Sequence, residues 1–323
     1  MGTPESQTTR NGAVDAIKGI AIVSVLLIHS LPEQVLSASF SVFHVSQAVP
    51  ILIVMMGYLG ATSRVRPLGD YLRRRGIRLL VPWAVAWLVA LLILVLKGDL
   101  VWMRPILVGA LPVPSGPGNY FISIAIEFVL ILPLLRWLLD RGPWVLLGTC
   151  LALDISYELT AAYFGLNNYV TKALIFRYLF AVALGMLLAK GHKFWPLLPL
   201  SFGFLVAITA GVRFDFLAPG WQSQSLLAAG YTIALVAVGL RFRYPRLLQS
   251  LGRASWHIFL VQILWFGQIA PALVSRFGLS TAANVALGLV ACLAIGLGFA
   301  RAEQWATHSV RDSWRKSHPL PTP

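Results

Sequence analysis

Three ionisable side chains stand in an otherwise apolar stretch near the start of the chain: Asp15, Lys18 and His29, within Val14 to His29. Titratable groups are costly inside a bilayer and mark candidate functional sites there. Lys18 and His29 are eleven residues apart. That is close to three helical turns, so the two share one helical face, ~16 Å apart along its axis. Asp15 falls on much the same face. A neutral imidazole in a low-dielectric site is a natural general base, which points to proton abstraction at His29. The same histidine also fits a buried residue bonded to a neighbouring helix, or a proton relay in a transporter. Asp15 and Lys18 also fit an interfacial salt bridge, though that leaves the shared face with His29 unexplained.

Three further groups could carry chemistry. The run Tyr71 to Pro82 contains Arg73, Arg74, Arg75 and Arg78. Arg75 and Arg78 are three apart and so share a face of a helix. Guanidinium groups match phosphate oxygens in pairs, so a ligand with several phosphates fits, as does an anionic lipid head group. Glu127 lies alone within the apolar run Tyr120 to Pro133 and needs a cavity or a cationic partner. Asp154 and Glu158, four apart, with Tyr157, Asn167, Asn168, Trp221 and Gln222 nearby in the expected outer region, suit a polyhydroxylated acceptor. A wet membrane edge with an aromatic belt explains that last group better.

These residues must be positioned by helices in lipid. Hydrophobic residues make up 58% of the chain and charged residues 12%, about half the share of charged residues in a soluble domain. Mean hydropathy is +0.76. The apolar runs are continuous rather than alternating, and lipid admits only helices or closed barrels. The expected fold class is therefore an all-α polytopic membrane protein with about ten transmembrane helices. The spans are placed near 13–31, 41–61, 77–96, 119–139, 143–160, 171–189, 195–212, 224–240, 250–270 and 281–300. Residues 1–12 form a polar N-terminal tail, 13–300 a single transmembrane domain, and 301–323 a basic cytoplasmic C-terminal tail, with Ser313 to Pro323 expected to be mobile. The apolar but proline-broken stretch 100–118 reads as an outer loop or a re-entrant piece lining a cavity.

The net charge of +14 follows from loops rather than from nucleic-acid binding. With both termini in the cytoplasm, only Lys97, Arg104, Lys172, Arg177, Arg213 and Arg276 of the 26 lysines and arginines fall on the outer side. That bias sets an N-in, C-in orientation. Cys150 and Cys292 both fall in apolar spans and read as packing residues, with neither disulfide nor metal spacing. The first apolar segment lacks a small-residue cleavage site, which argues against a signal peptide.

Five segments in order resemble the integral-membrane acyltransferase family 3. Val14-Asp15-Ala16-Ile17-Lys18-Gly19 followed by Val25-Leu26-Leu27-Ile28-His29 is similar to that family's first helix. Met56-Gly57-Tyr58 stands for a Ser-Gly-Phe-like turn. Arg75, Arg78 and Pro82 match an Arg-x-x-Arg start of the third helix. Phe121 to Glu127, with Pro133, and Leu251 to Gln262 resemble two later segments. Lys18 replaces the usual arginine, which keeps the charge but loses the fork. Met56 replaces a serine, and Gln262 stands where many members carry histidine.

The resemblance implies an acyltransferase moving groups other than aminoacyl groups. It would carry an acyl group, often acetyl, from cytoplasmic acyl-coenzyme A to a hydroxyl of a carbohydrate or glycolipid, as in O-acetylation of cell-envelope polysaccharide. On that reading His29 is the base, Asp15 and Lys18 orient the donor, and Glu127 orients His29 or the acceptor. Arg74, Arg75, Arg78 and Lys18 hold the coenzyme phosphates. Asp154, Glu158 and Trp221 are acceptor candidates. The expected partners are acyl-coenzyme A, the acceptor and membrane lipids, with a homodimer as candidate assembly, no metal and no nucleic acid. The implied location is a cell membrane, the bacterial inner membrane. A secondary transporter or flippase of an anionic or sugar-linked substrate is the alternative, but it predicts an internal repeat that the chain lacks.

Overall fold

The computed structural model describes residues 11–64, 67–98, 117–166, 172–214, 216 and 225–317. Its α-helices run in the order α1 (Gly12–Ser30), α2 (Glu33–Ala38), α3 (Ala48–Thr62), α4 (Leu68–Lys97), α5 (Tyr120–Arg141), α6 (Pro143–Tyr163), α7 (Leu179–Ala189), α8 (Leu198–Arg213), α9 (Ser225–Gly239), α10 (Arg246–Arg253), α11 (Ser255–Leu264), α12 (Ala270–Phe277) and α13 (Thr281–Ser317). No strand occurs among the described residues.

Among the described residues, eight helical stretches are long and apolar enough to cross a membrane, against the ten spans expected. The sixth and eighth expected spans are shorter apolar helices, Ile175–Ala189 and Ala228–Gly239. The ninth is divided at Ala254, so that α10 stands apart and the long apolar stretch begins at Ser255. The last helix continues to Ser317, through most of the expected tail. The stretch 100–118 falls largely outside the described residues, which resume at Pro117. The chain is an all-α, multi-pass membrane protein.

Burial sorts the helices into two kinds. α1, α3, α7, α9 and α11 form the core, with Ile22, Leu26, Ile53, Met55, Met186 and Ile258 fully enclosed. Outer helices keep apolar residues on their outward faces: Leu88, Leu92 and Leu96 form an exposed stripe on α4, and Leu200 and Phe204 do so on α8. Such stripes are what a helix offers to lipid. Trp137 and Trp195 lie under the guanidinium groups of Arg141 and Arg241, at 4.7 and 4.4 Å from ring to charge. Aromatic rings beside cations suit the membrane–water boundary.

Two core crossings depend on glycine. A Cβ on Gly19 of α1 would collide with the Leu248 carbonyl of α10, and one on Gly252 of α10 would collide with the Asp15 carbonyl of α1. The same reciprocity joins α3 and α7, where Gly57 faces the Val182 carbonyl and Gly185 faces the Val54 carbonyl. Lipid tails are as apolar as leucine, so helices in a membrane associate through close packing, and small residues make that packing possible.

Prolines inside the spans leave carbonyls to be satisfied. Pro133 lacks an N–H and so frees the Val129 carbonyl one turn earlier in α5. The Tyr71 hydroxyl of α4 donates to that carbonyl at 3.0 Å. Arg136, one turn beyond Pro133, crosses to the end of α3. Its Nε donates to the Gly60 carbonyl at 3.0 Å, and Nη2 donates to the Ser63 carbonyl at 2.6 Å and to the Ser63 hydroxyl. Helix-end carbonyls are otherwise unpartnered, and a cation there also complements the helix dipole.

Substitutions test these supports. Gly185→Ala pushes a methyl group into backbone and is expected to lower stability in detergent by about 1–3 kcal/mol. Gly148→Ala, where a Cβ meets nothing within 4 Å, is expected to leave the melting temperature unchanged or slightly raised. Tyr71→Phe leaves the Val129 carbonyl unsatisfied and is expected to cost about 1–3 kcal/mol in the same unfolding measurement.

Candidate active site

A cavity of about 230 Å³ opens between α1, α3, α4, α5 and the α10–α11 junction. Three of the residues singled out from sequence line it: Lys18, Arg75 and Arg78. Arg253, Ser255, Trp256 and His257 form another wall. Met55, Met56, Phe121, Phe128 and Phe259 supply the apolar remainder. A cationic rim over an aromatic and aliphatic interior suits a ligand with an anionic end and a less polar arm. The volume is smaller than a typical ligand pocket, so it takes part of such a molecule rather than all of it.

The elements fix these side chains as follows. Lys18 is held by Asp15, one turn earlier on α1, at 3.5 Å between charges. Asp15 is buried, and its backbone carbonyl is the atom that meets Gly252. Arg75 and Arg78 lie one turn apart on α4, which continues past Pro82 to Lys97. The Trp256 indole N–H donates to the Leu79 carbonyl at 3.3 Å and ties α11 to α4 there. Arg74 is exposed and does not line the cavity.

His29 is half-buried near the other end of α1 and is absent from the cavity lining. Its Nε2 lies 3.4 Å from where a Cβ of Gly118 would stand, and the Phe259 ring comes within 3.6 Å of the same point. Phe259 lines the cavity and pairs with Phe121 at 5.1 Å between ring centres. Phe259 therefore lines the cavity and also lies beside Gly118, as His29 does. Gln262, fully buried on α11, donates its amide N–H to the Pro117 carbonyl at 3.0 Å and so holds the residue next to Gly118. Gly118 has φ +84°, a left-handed conformation that glycine adopts without strain.

The remaining candidates lie elsewhere in the fold. Glu127 accepts the Ile175 N–H at 2.6 Å, which caps the turn before α7. Asp154 is buried and accepts the Phe180 N–H at 3.3 Å. Glu158 pairs with the buried Arg177 at 3.0 Å. All three carboxylates thus hold the segment Ile175 to Phe180 to α5 and α6. Trp221 lies outside the described residues.

Sequence reasoning assigned no role to three of the residues in this region. His257, buried on α11, places Nε2 2.7 Å from the Glu303 carboxylate of α13. Arg253 stands four residues before it. That spacing is a readable one-turn signal, whereas Glu303, 46 residues further on, has no local signal at all.

The geometry can be set beside known proteins. No curated protein and no solved structure matches the chain. The model of the acyltransferase domain, acyltransferase 3, matches residues 11–301, nearly the whole chain and every helix that lines the cavity. The protein belongs to the acyltransferase 3 family and is a membrane-embedded acyltransferase.

Proposed function

We propose that the enzyme moves an acyl group, acetyl in the simplest case, from cytoplasmic acyl-coenzyme A to a hydroxyl of a carbohydrate or glycolipid. The observation that carries this reading is the convergence of Lys18, Arg75 and Arg78, from two helices, on one cavity with an apolar interior. Arginine pairs bind phosphate oxygens two at a time, and the apolar part of the cavity suits the arm that leads away from them.

The chemistry is an exchange of ester for thioester. The acceptor hydroxyl attacks the thioester carbonyl, a C–O bond forms, and the C–S bond breaks. His29 takes the hydroxyl proton, and the departing sulfur regains a proton to leave as the thiol. In this reading the phosphates lie at the Lys18 end of α1. The arm passes Phe121 and Phe259, and the reacting carbon comes to the Gly118–His29 side. Lys18, kept in place by Asp15, neutralises phosphate. Glu127 acts at one remove, by fixing Ile175 and the turn behind α5. Basic residues place the Lys18 end in the cytoplasm, with both termini on that side, and the inner membrane of a bacterium is the proposed setting.

Two experiments test the reading. In cells lacking the gene, glycan and lipid mass spectrometry is expected to show a lost acyl increment. Complementation with His29→Ala is expected to restore less than ~1% of it, since general-base catalysis contributes about 10²–10⁴-fold. Restoration to the wild-type level by a folded His29→Ala protein rules out His29 as the base. Separately, Arg75→Gln and Arg78→Gln are each expected to weaken coenzyme A binding by about tenfold or more, as loss of a charge-assisted hydrogen bond implies. Unchanged binding in both variants removes the arginines from the donor site.

A further inference from the structure

The cavity holds more positive charge than one pair of arginines accounts for. Lys18, Arg75, Arg78 and Arg253 all line it. Asp15 balances Lys18, but among the described residues no carboxylate forms an ion pair with Arg75, Arg78 or Arg253. The two uncompensated groups stand on different walls. Arg75 and Arg78 belong to α4. Arg253 ends α10, and Ser255, Trp256 and His257 open α11 directly after it.

The second wall is built, not incidental. The His257 ring is fixed by two contacts from α13: Glu303 at 2.7 Å from Nε2 and the Phe299 ring edge-on at 4.8 Å. With Nε2 committed to the carboxylate, Nδ1 is left without a hydrogen-bond partner among the described residues, although the residue is only 8% exposed. No side chain caps the start of α11, a ten-residue helix whose first three residues, Ser255, Trp256 and His257, line the cavity. The Trp256–Leu79 hydrogen bond fixes the separation between this wall and α4.

We propose that the α10–α11 junction is a phosphate subsite distinct from Arg75 and Arg78, and that it takes the terminal 3′-phosphomonoester of a coenzyme A donor. This rests on the donor reading above. A terminal phosphate offers three oxygens. The junction offers Arg253, the Ser255 hydroxyl and, with the ring doubly protonated so that Nε2–H stays on Glu303, the Nδ1–H of His257, beside a helix start. Two guanidinium groups one turn apart suit the internal diphosphate, whose oxygens lie along a chain. Glu303 is then a positioning residue: it orients the His257 ring and touches no ligand.

The test compares dissociation constants of coenzyme A and 3′-dephospho-coenzyme A for the purified full-length protein. Wild type is expected to bind the dephospho form about tenfold or more weakly. His257→Gln and Arg253→Gln are expected to weaken coenzyme A binding to the level of the dephospho form and to leave the latter unchanged. Arg253→Lys keeps the charge and is expected to retain most of the discrimination. Arg75→Gln is expected to weaken both ligands alike. Equal wild-type binding of the two ligands overturns the subsite and leaves the donor reading intact. So does parallel weakening of both ligands in the junction variants. Binding of neither ligand by the wild type overturns both.

Discussion

The backbone contact between α1 and α10 is the constraint on which the site depends. Gly19 and Gly252 each occupy a place where a side chain would strike the other helix's carbonyl. Because the helices touch at that level, Lys18 and Arg253, each a short step from its glycine, come to one cavity. Any larger residue at Gly252 would separate the helices at Asp15, the residue that holds Lys18. The anchoring of a charge is thus coupled to a packing contact, and the coupling passes through backbone rather than through flexible side chains. The α3–α7 crossing does for Met55 and Met56, on the apolar side of the cavity, what the α1–α10 crossing does for the cations.

A second constraint follows from lipid. Carbonyls left open within a span or at its end need donors, and two such places here find them on other helices. The Val129 carbonyl, released by Pro133, takes the Tyr71 hydroxyl, and the end of α3 takes Arg136. Both links surround the cavity: Val129 and Arg75 line it, and Tyr71 lies one turn before Arg75. The carbonyl released by Pro133 is therefore also a place where two cavity-lining helices are joined. At the far side, Lys97 donates to the Gln268 carbonyl at 2.8 Å within a π-helical turn, Trp265–Ile269, in the same manner.

Hydropathy alone made the all-α membrane fold legible, because a continuous apolar run longer than about 18 residues is at home in a bilayer and in few other surroundings. The break at Ala254 was not, since it lies inside a run that reads as one span. Within the site, spacing revealed that Lys18 shares a helical face with His29 and that Arg75 shares one with Arg78. It could not reveal that the two arginines meet Lys18 at a cavity while His29 lies beyond Phe259, because that depends on which helices touch. The glycines were the hidden signal. Gly19, Gly57, Gly185 and Gly252 look like any other small residues in a span, and only the partner helix distinguishes them from Gly148, which faces open space. Glu127 reads as a site carboxylate because a lone charge in a span needs a partner, and Asp154 and Glu158 do so because paired carboxylates beside amides and aromatic rings suit a hydroxylated acceptor. Their partners are backbone N–H groups and Arg177, which sequence cannot pair with them.

The position of His29 bears on how one helix could serve two substrates. Lys18 and His29 share α1, and α1 is held at its Lys18 end by backbone contact with α10. At the His29 end the neighbours are of a different kind: a glycine in a left-handed turn and the edge of the Phe259 ring. Gln262 fixes that turn through a single hydrogen bond to Pro117. A rigid anchor at one end and aromatic side chains with one backbone turn at the other is an unequal arrangement. Ring rotation requires no helix movement, whereas any shift at Gly19 does. Of the groups near both the cavity and Gly118, the Phe121–Phe259 pair can reorient without moving the helix that carries Lys18. On that basis the anchor and the proposed base keep a constant separation along α1, and under the proposed chemistry the donor has to span that distance.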